Sequence, residues 1–231
     1  MSQSDVVIVT GAAGNLGAAL CGVLTRQGCR VVAVDRDAAA VRARVAAEPA
    51  LLVAPADLTD PSGCADVVAR TVAALGRVDA LAHTVGGFAM AGIAEAGPEF
   101  WESMRRVNLY TTVNMVRAVW PRMQEAGHGS IVAIGAQPAL RATAGMSAYA
   151  ATKAAVLRLI ESAADEGKPL GIRANAVLPG IIDTPQNRAA MPDADTSRWV
   201  TPGQVAEAIA FLLSDAASGV TGALLPVTGR G

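Results

Sequence analysis

Short β-branched runs alternate with alanine-rich stretches of helical pattern along the whole chain. Such alternation predicts a parallel, doubly wound sheet with right-handed crossovers, because each helix returns the chain to the same end of the sheet. A hydrophobic content of 52% with only 3% aromatic residues suits strands covered on both faces. At 231 residues the chain is too short for two domains of typical size, so we predict one α/β domain over residues 1–231 with about seven strands. The predicted strands are Asp5–Thr10, Arg30–Val34, Leu51–Ala54, Val78–His83, Ser130–Ile134, Ile172–Leu178 and Ala223–Val227, and the predicted helices lie at about 15–28, 37–47, 61–75, 98–126, 147–166 and 202–214.

Two connections are longer than the others, residues 84–97 after the fourth strand and residues 179–201 after the sixth. Doubly wound sheets bind their ligands at the carboxyl ends of the strands, so we predict that these are the substrate loops. Pro98 suits the first turn of its helix, whereas Pro121 is expected to bend that helix or to end it early.

A glycine-rich turn follows the first strand and opens the first helix. Glycine there lets backbone N–H groups approach a pyrophosphate, whose charge the helix N-terminus stabilises. Asp35 lies 18 residues after Gly17, where a carboxylate accepts hydrogen bonds from ribose hydroxyls and repels a 2′-phosphate. NAD(H) is therefore the predicted cofactor, and the Arg36 guanidinium leaves NADP(H) open. Asp57 is predicted to lie near the adenine or, equally, to cap a helix. The predicted nucleotide residues of this half are Thr10, Gly11, Gly14, Asn15, Leu16, Gly17, Asp35, Arg36, Asp57 and Leu58.

Tyr149 and Lys153 form a Tyr-x-x-x-Lys pair, which places both side chains on one face of a helix, and Asn108 lies upstream in a Val-Asn-Leu segment. Together with the glycine turn and the segment 179–184, these residues make the chain resemble the short-chain dehydrogenase/reductase family, with its Rossmann fold, over essentially its whole length. The resemblance implies that Tyr149 is the general acid/base, that Lys153 binds the nicotinamide ribose and lowers the phenol pKa, and that Asn108 holds a water in a proton relay. It also implies a homodimer or homotetramer, and it adds to the cofactor site Gly86, Pro179, Gly180, Ile182 and Thr184.

The sequence departs from the family pattern at two positions. His83 stands where an asparagine follows the fourth strand, and we expect a hydrogen-bonded structural residue rather than a catalytic base. Ala136, 13 residues before Tyr149, stands where the family has a serine whose hydroxyl polarises a substrate carbonyl. One subgroup without this serine, the dihydropteridine reductases, is similar to the chain in the substrate-facing segments 86–88, 135–140, 145–146, 176–179, 183–188, 191–195 and at Trp199.

The missing hydroxyl constrains the acceptor. Removing one donor from a developing oxyanion costs on the order of 2.7–4 kcal/mol. Ala136 therefore favours a quinonoid or other conjugated C=N acceptor, reduced by NADH with Tyr149 as the proton donor. A carbonyl reductase or alcohol dehydrogenase would instead need Ser147, Thr143 or Gln137 as a substitute donor, although a helix N-cap is the favoured interpretation of Ser147. A nucleotide-binding sensor or assembly protein without catalysis is a further alternative. The predicted substrate residues are Gly87, Phe88, Met90, Ala136, Gln137, Met146, Asn187, Met191 and Trp199.

Charge and cysteine content bear on other classes of function. A net charge of −1, without a basic run, gives no support to nucleic-acid binding. Cys21, Cys29 and Cys64 show no metal-ligand spacing, so we expect reduced thiols and no metal. The first residues lack the pattern of a signal peptide, and no segment approaches the roughly 20 apolar residues of a membrane span. We therefore expect a cytoplasmic enzyme that acts on a small molecule and has no membrane partner.

Overall fold

The computed structural model describes residues 5–45 and 51–230. Seven strands in this part of the chain form one parallel sheet in the order β3-β2-β1-β4-β5-β6-β7. The predicted doubly wound α/β fold is confirmed, and each strand begins and ends close to its predicted bounds. The strands are β1 (Val6–Thr10), β2 (Arg30–Asp35), β3 (Leu51–Pro55), β4 (Ala80–His83), β5 (Gly129–Ile134), β6 (Ile172–Pro179) and β7 (Leu224–Val227).

The helices of the described residues follow the predicted pattern with three exceptions, of which the third, in the predicted helix 98–126, is described below. The predicted helix 37–47 ends at Arg44, because Val45 is already extended, and residues 46 and 47 lie outside the described residues. A short helix that was not predicted, α7, lies within the connection that follows β6. The helices are α1 (Asn15–Arg26), α2 (Ala38–Arg44), α3 (Pro61–Leu75), α4 (Pro98–Met104), α5 (Thr111–Ala126), α6 (Ser147–Gly167), α7 (Pro185–Ala190) and α8 (Pro202–Leu213).

The predicted helix 98–126 is interrupted by a π-helix at Arg105–Tyr110, which separates α4 from α5. A π-helical turn carries one extra residue, which hydrophobic periodicity does not signal, and such turns are frequent at functional sites. Here the turn contains Asn108. Of the two effects expected of Pro121, an early end of the helix does not occur, since α5 continues to Ala126 and ends at left-handed Gly127. Pro121 is exposed, so water can serve the carbonyl that its ring leaves without a donor.

Both faces of the sheet are covered by helices. Side chains alternate along β1, so Ile8 joins the core under α3, α5 and α6 while Val7 and Val9 join the core under α1 and α8. With both faces covered, the space left for a ligand is the edge where the strands end, as in other doubly wound sheets. No helix of the described residues is both long and apolar enough to cross a membrane.

Candidate active site

The turn between β1 and α1 can be built only with glycine at two positions. Gly11 adopts φ +69°, and a Cβ there would lie 2.9 Å from Thr84 Oγ1. A Cβ at Gly17 would lie 2.2 Å from the Gly11 carbonyl oxygen. Helix α1 begins directly after Gly14, so its free N–H groups face the turn. The Leu16 side chain is buried in the core and therefore supports the turn rather than lining it.

Asp35 is held beside this turn at the end of β2. Its Oδ2 accepts a hydrogen bond of 3.1 Å from Ala13 N, and its Oδ1 accepts one of 2.8 Å from Arg36 N. The carboxylate is therefore fixed next to the backbone that would receive a pyrophosphate. Arg36 is exposed, so its guanidinium is available to a 2′-phosphate, as binding of NADP(H) would require.

Asp57 and Leu58 follow β3, and neither caps a helix, because Asp60 is the N-cap of α3. Asp57 Oδ1 accepts hydrogen bonds from Thr59 N at 2.9 Å and Thr59 Oγ1 at 2.8 Å. These bonds, with smaller contributions from Arg36 and Arg106, hold the pKa of Asp57 below its usual range. The Leu58 side chain is buried in the core, so only its backbone is available to a nucleotide.

His83 is a buried structural residue at the end of β4. Its Nδ1 lies 2.9 Å from Thr10 Oγ1, and its Nε2 lies 3.2 Å from Thr111 Oγ1. Burial and, secondarily, the Lys153 charge lower the pKa of His83 to about 3, so the imidazole is neutral near pH 7. The Thr10 hydroxyl, predicted to belong to the nucleotide site, serves this contact and also accepts from Thr84 N at 3.2 Å.

Asn108 fixes the start of the connection after β4. Its Oδ1 accepts from Gly87 N at 3.0 Å, and its Nδ2 donates to Gly87 O at 3.0 Å. The same Nδ2 lies 3.3 Å from Thr152 Oγ1, which itself donates to Tyr149 O at 2.9 Å. Thr112 Oγ1 donates to the Asn108 carbonyl at 2.8 Å. The predicted catalytic residue Asn108 thus joins the 84–97 connection to α6. Both the oxygen and the nitrogen of its side-chain amide already have hydrogen-bond partners within the protein.

Lys153 is buried, and its Nζ donates to Ile134 O at the end of β5 over 2.8 Å. Gly86 lies against the same group, since a Cβ there would be 2.9 Å from Lys153 Nζ and 3.0 Å from Asn108 Oδ1. On the neighbouring helical turn, the Tyr149 ring meets Phe88 edge-on, with centroids 4.9 Å apart. These contacts bring the three predicted catalytic residues and the 84–97 connection to one site.

The pKa values of the pair differ from the sequence-based expectation. Burial raises the pKa of Tyr149 to about 12 and lowers the pKa of Lys153 to about 8. Among the protein's own groups, the burial of Tyr149 therefore raises its pKa by more than the Lys153 ammonium lowers it. Tyr149 is therefore protonated at neutral pH. The pKa of Lys153 lies closer to neutral pH than that of an exposed lysine.

The connection after β6 is ordered by local hydrogen bonds. Thr184 Oγ1 accepts from Asn187 N at 3.2 Å and caps α7, while Asn187 Nδ2 donates to Ile182 O at 2.7 Å. Asn187, predicted to touch substrate, therefore has a structural contact of its own. Ile182 pairs with Val200, and Gly180 N donates to Val227 O at 3.0 Å, so Pro179 and Gly180 lie at the ends of β6 and β7.

A contact that the sequence did not signal joins this connection to the nucleotide turn. Asn15 Nδ2 donates to Gln186 Oε1 at 2.8 Å, and Arg44 Nη1 donates to Asn15 Oδ1 at 3.0 Å. Asn15 and Gln186, which are 171 positions apart, thus meet beside the nucleotide turn. Only the fold brings them together, because no local pattern links these three polar residues.

A cleft of about 510 Å³ opens beyond the end of β5, where Gln137 and Trp199 face one space with Ile181. Ala136, 5% exposed, begins the 3₁₀ turn Gln137–Ala139 that carries Gln137 to this cleft. The predicted substrate residues do not all line this cleft, because Phe88 lies at Tyr149 instead. Of the predicted methionines, Met90 approaches Gly145 beside Met146, and Met191 ends α7 outside the cleft lining.

Ser147 is not the N-cap that the sequence favoured. Helix α6 begins at Ser147 itself, and Met146 takes the cap position without a side-chain hydrogen bond. Within the described residues, Ser147 Oγ is buried and has no hydrogen-bond partner. A buried hydroxyl without a partner is costly, which makes it a candidate donor to a bound molecule.

The comparisons with known proteins show the family to which the chain belongs. A family model described as short chain dehydrogenase matches residues 5–195, and the chain belongs to this family of NAD(P)-dependent oxidoreductases. The chain is 32% identical to an acetoacetyl-CoA reductase of Allochromatium vinosum, with 98% of each chain covered. It is 36% identical to a cis-4-hydroxycyclohexanecarboxylate dehydrogenase of Sinomonas cyclohexanicum, over 97% of this chain and 95% of the relative.

Solved structures of the family share the whole fold. A 3-ketoacyl-(acyl-carrier-protein) reductase from Brucella melitensis complexed with NADH has a TM-score of 0.89 at 30% identity, with 99% of each chain covered. A short-chain type dehydrogenase/reductase from Mycobacterium ulcerans has a TM-score of 0.92 at 29% identity, over 98% of this chain and 89% of that one.

The residues present fit a dinucleotide. Gly11 and Gly17 form a cradle that a Cβ would fill, α1 begins at that cradle, and the Asp35 carboxylate lies beside it. Within residues 5–45 and 51–230, no group of three or more histidine, cysteine or acidic side chains could hold a metal ion.

Proposed function

We propose that the protein is an NAD(H)-preferring reductase of a conjugated C=N or quinonoid acceptor, similar to the dihydropteridine reductases. The observation that carries the proposal is the side chain at position 136. Ala136 presents a buried methyl group two residues after Ile134, whose carbonyl holds Lys153. An acceptor reduced there receives no hydroxyl donor from this position, so one that builds up little oxyanion is favoured.

Asp35 supports NADH as the preferred cofactor. Its two oxygens are already oriented by Ala13 N and Arg36 N, and the negative charge would repel a 2′-phosphate. In this proposal bound NADH supplies the hydride. Lys153 would bind the nicotinamide ribose, with Gly86 leaving room for its ammonium, and Thr184 would contact the nucleotide from the start of α7.

Tyr149 would supply the proton. Its raised pKa keeps the phenol protonated at neutral pH, as a proton donor requires. The acceptor nitrogen becomes basic as it gains a hydride and would take this proton. The edge of Phe88 fixes the phenol ring from the side of the 84–97 connection.

An acceptor panel tests the proposal. Initial rates of NADH and NADPH oxidation would be measured with quinonoid dihydropterin, a cyclic imine, a quinone and a simple ketone. We expect the fastest turnover with NADH and the quinonoid dihydropterin, and Tyr149→Phe is the control for non-enzymatic reduction. Fast turnover of the ketone and none of the dihydropterin would refute the proposal, and no oxidation with any acceptor would favour a nucleotide sensor.

A carbonyl reductase or alcohol dehydrogenase is the second candidate, favoured by one observation. Ser147 Oγ is buried without a partner, two residues before Tyr149, and could replace the missing donor. The relatives described above are named as reductases and dehydrogenases, which agrees with this candidate. If it is correct, Ser147→Ala lowers ketone turnover by about 100-fold. On the leading proposal Ser147→Ala leaves dihydropterin turnover within about threefold, and Ala136→Ser raises ketone turnover.

We further propose a cytoplasmic homodimer or homotetramer that associates through α5 and α6. An exposed groove of about 280 Å³ lies between these helices, lined by Trp120, Pro121 and Leu159. Light scattering on the purified chain tests the subunit number, and a monomer would contradict this proposal.

A further inference from the structure

The cleft at the ends of β5, β6 and β7 is large enough for more than the reacting atoms. Its volume of about 510 Å³ lies within the range of about 300–1,000 Å³ that is usual for small-molecule sites. Ile181 and Trp199 provide apolar surface, and Gln137, Asp195 and Arg198 provide polar groups. Such sites orient their ligands through a few polar groups set in apolar surroundings.

The polar side chains of this cleft differ in what they already bind. Asp195 Oδ1 accepts from Ser197 N at 3.1 Å and from Ser197 Oγ at 2.6 Å. Arg198 Nε donates to Arg230 O at 3.1 Å. By contrast, no group among the described residues hydrogen-bonds to the Gln137 side-chain carboxamide. A ligand in the cleft therefore meets an amide whose donors and acceptor are both available.

The backbone that carries Gln137 is fixed. Ala139 N donates to Ala136 O at 3.0 Å, and Leu140 N donates to Gln137 O at 3.0 Å, which closes the 3₁₀ turn. A polar group on a fixed turn is better suited to recognition than one on a mobile loop. The carboxamide is also planar, with one acceptor oxygen and a two-donor nitrogen side by side, so it can form two parallel hydrogen bonds with a lactam.

We propose that Gln137 is a specificity-determining residue, whose carboxamide pairs with the lactam-type edge of a planar nitrogen heterocycle in the cleft. This inference rests on the proposed function and names the substrate class of that same site. The heterocycle would lie between the apolar surfaces of Ile181 and Trp199. Acceptors without a lactam edge, such as simple quinones, would gain nothing from Gln137.

Two variants and one control test the assignment. Gln137→Met keeps the length of the side chain and removes its hydrogen bonds, while Gln137→Glu keeps an acceptor and removes the donors. Gln124→Met, on the exposed end of α5, is the matched control. The probes are oxidised pterin, followed by its fluorescence in the presence of NAD⁺, and the pair of quinonoid dihydropterin and 1,2-naphthoquinone as acceptors.

For Gln137→Met we expect the pterin Kd and the dihydropterin KM to rise on the order of tenfold, because a hydrogen-bonded pair is lost. The kcat, the naphthoquinone kinetics and the melting temperature should stay close to those of the wild type. Gln124→Met should change none of these. An unchanged pterin Kd in Gln137→Met, or no pterin binding by the wild type, would overturn the inference. If the wild type binds pterin in a Gln137-dependent way but reduces no quinonoid acceptor, the proposed reaction is wrong and the inference stands.

Discussion

Replacing Gly86 by alanine should damage catalysis without unfolding the protein. The φ angle of Gly86 lies outside the left-handed region, so alanine can adopt its backbone conformation. The new Cβ would nevertheless lie 2.9 Å from Lys153 Nζ and 3.0 Å from Asn108 Oδ1. To restore ordinary contact near 3.4 Å, the ammonium has to move by about 0.5 Å. That movement stretches its bond of 2.8 Å to Ile134 O and displaces the asparagine that holds Gly87.

The expected loss follows from this displacement. A misplacement of about 1 Å at a reacting group can cost about 100-fold in rate, so about 0.5 Å should cost roughly tenfold in kcat. Steady-state NADH oxidation with the best acceptor measures kcat, and differential scanning calorimetry measures the melting temperature. Gly219→Ala is the matched control, because a Cβ there meets nothing within 4 Å. A wild-type kcat in Gly86→Ala would refute the placement of Lys153 and Asn108 at the reacting atoms.

Four further changes have defined outcomes. Tyr149→Phe should lower kcat by at least about 100-fold and leave the NADH Kd within about threefold. Rapid kinetics measures kcat, and fluorescence titration measures the Kd. Undiminished turnover would show that Tyr149 is not the proton donor. Asp35→Ser should raise kcat/KM for NADPH about tenfold relative to NADH, because a charge that repels the 2′-phosphate is lost. An unchanged ratio would show that the adenosine ribose does not bind beside Asp35. The pKa of His83 is about 3 in the folded protein and 6.5 in an ordinary histidine. As the pH falls, the imidazole is therefore protonated in the unfolded state first. Stability is lost from about pH 6.5 down to pH 3. Urea unfolding should show about 2 kcal/mol more loss between pH 7 and pH 5 in the wild type than in His83→Asn, and parallel losses would mean that His83 titrates normally. Gln186→Ala should speed NADH dissociation about threefold in stopped-flow experiments, because its bond to Asn15 is lost, and an unchanged rate would make that contact incidental.

The sheet and most helices could be predicted because they depend on local pattern. β-branched runs and the Gly11–Gly17 turn have sequence signals whose physical cause is local, and the turn leaves no room for a Cβ at either of these two glycines. No such signal predicts the π-helix around Asn108 or the continuation of α5 beyond Pro121. Both depend on how the helix packs and on which of its sides faces water.

Some residues of the candidate site could be predicted from the sequence, but the contacts between them could not. The spacing of Tyr149 and Lys153 implies one helical face, and the structure places Lys153 at the end of β5 and Tyr149 beside Phe88. The raised pKa of Tyr149 was not predictable, because it depends on burial, which the spacing of charges does not give. The same holds for the free carboxamide of Gln137, which depends on which neighbours the fold leaves beside it.

The most direct test of the proposed function is the ratio of kcat/KM for quinonoid dihydropterin to kcat/KM for a simple ketone, both measured with saturating NADH at pH 7. If the proposed function is correct, this ratio exceeds about 100 in the wild type, because Ala136 offers no hydroxyl donor to the oxyanion that a ketone develops. It should fall in Ala136→Ser. A wild-type ratio below one, unchanged by Ala136→Ser, would contradict the assignment of a conjugated C=N acceptor.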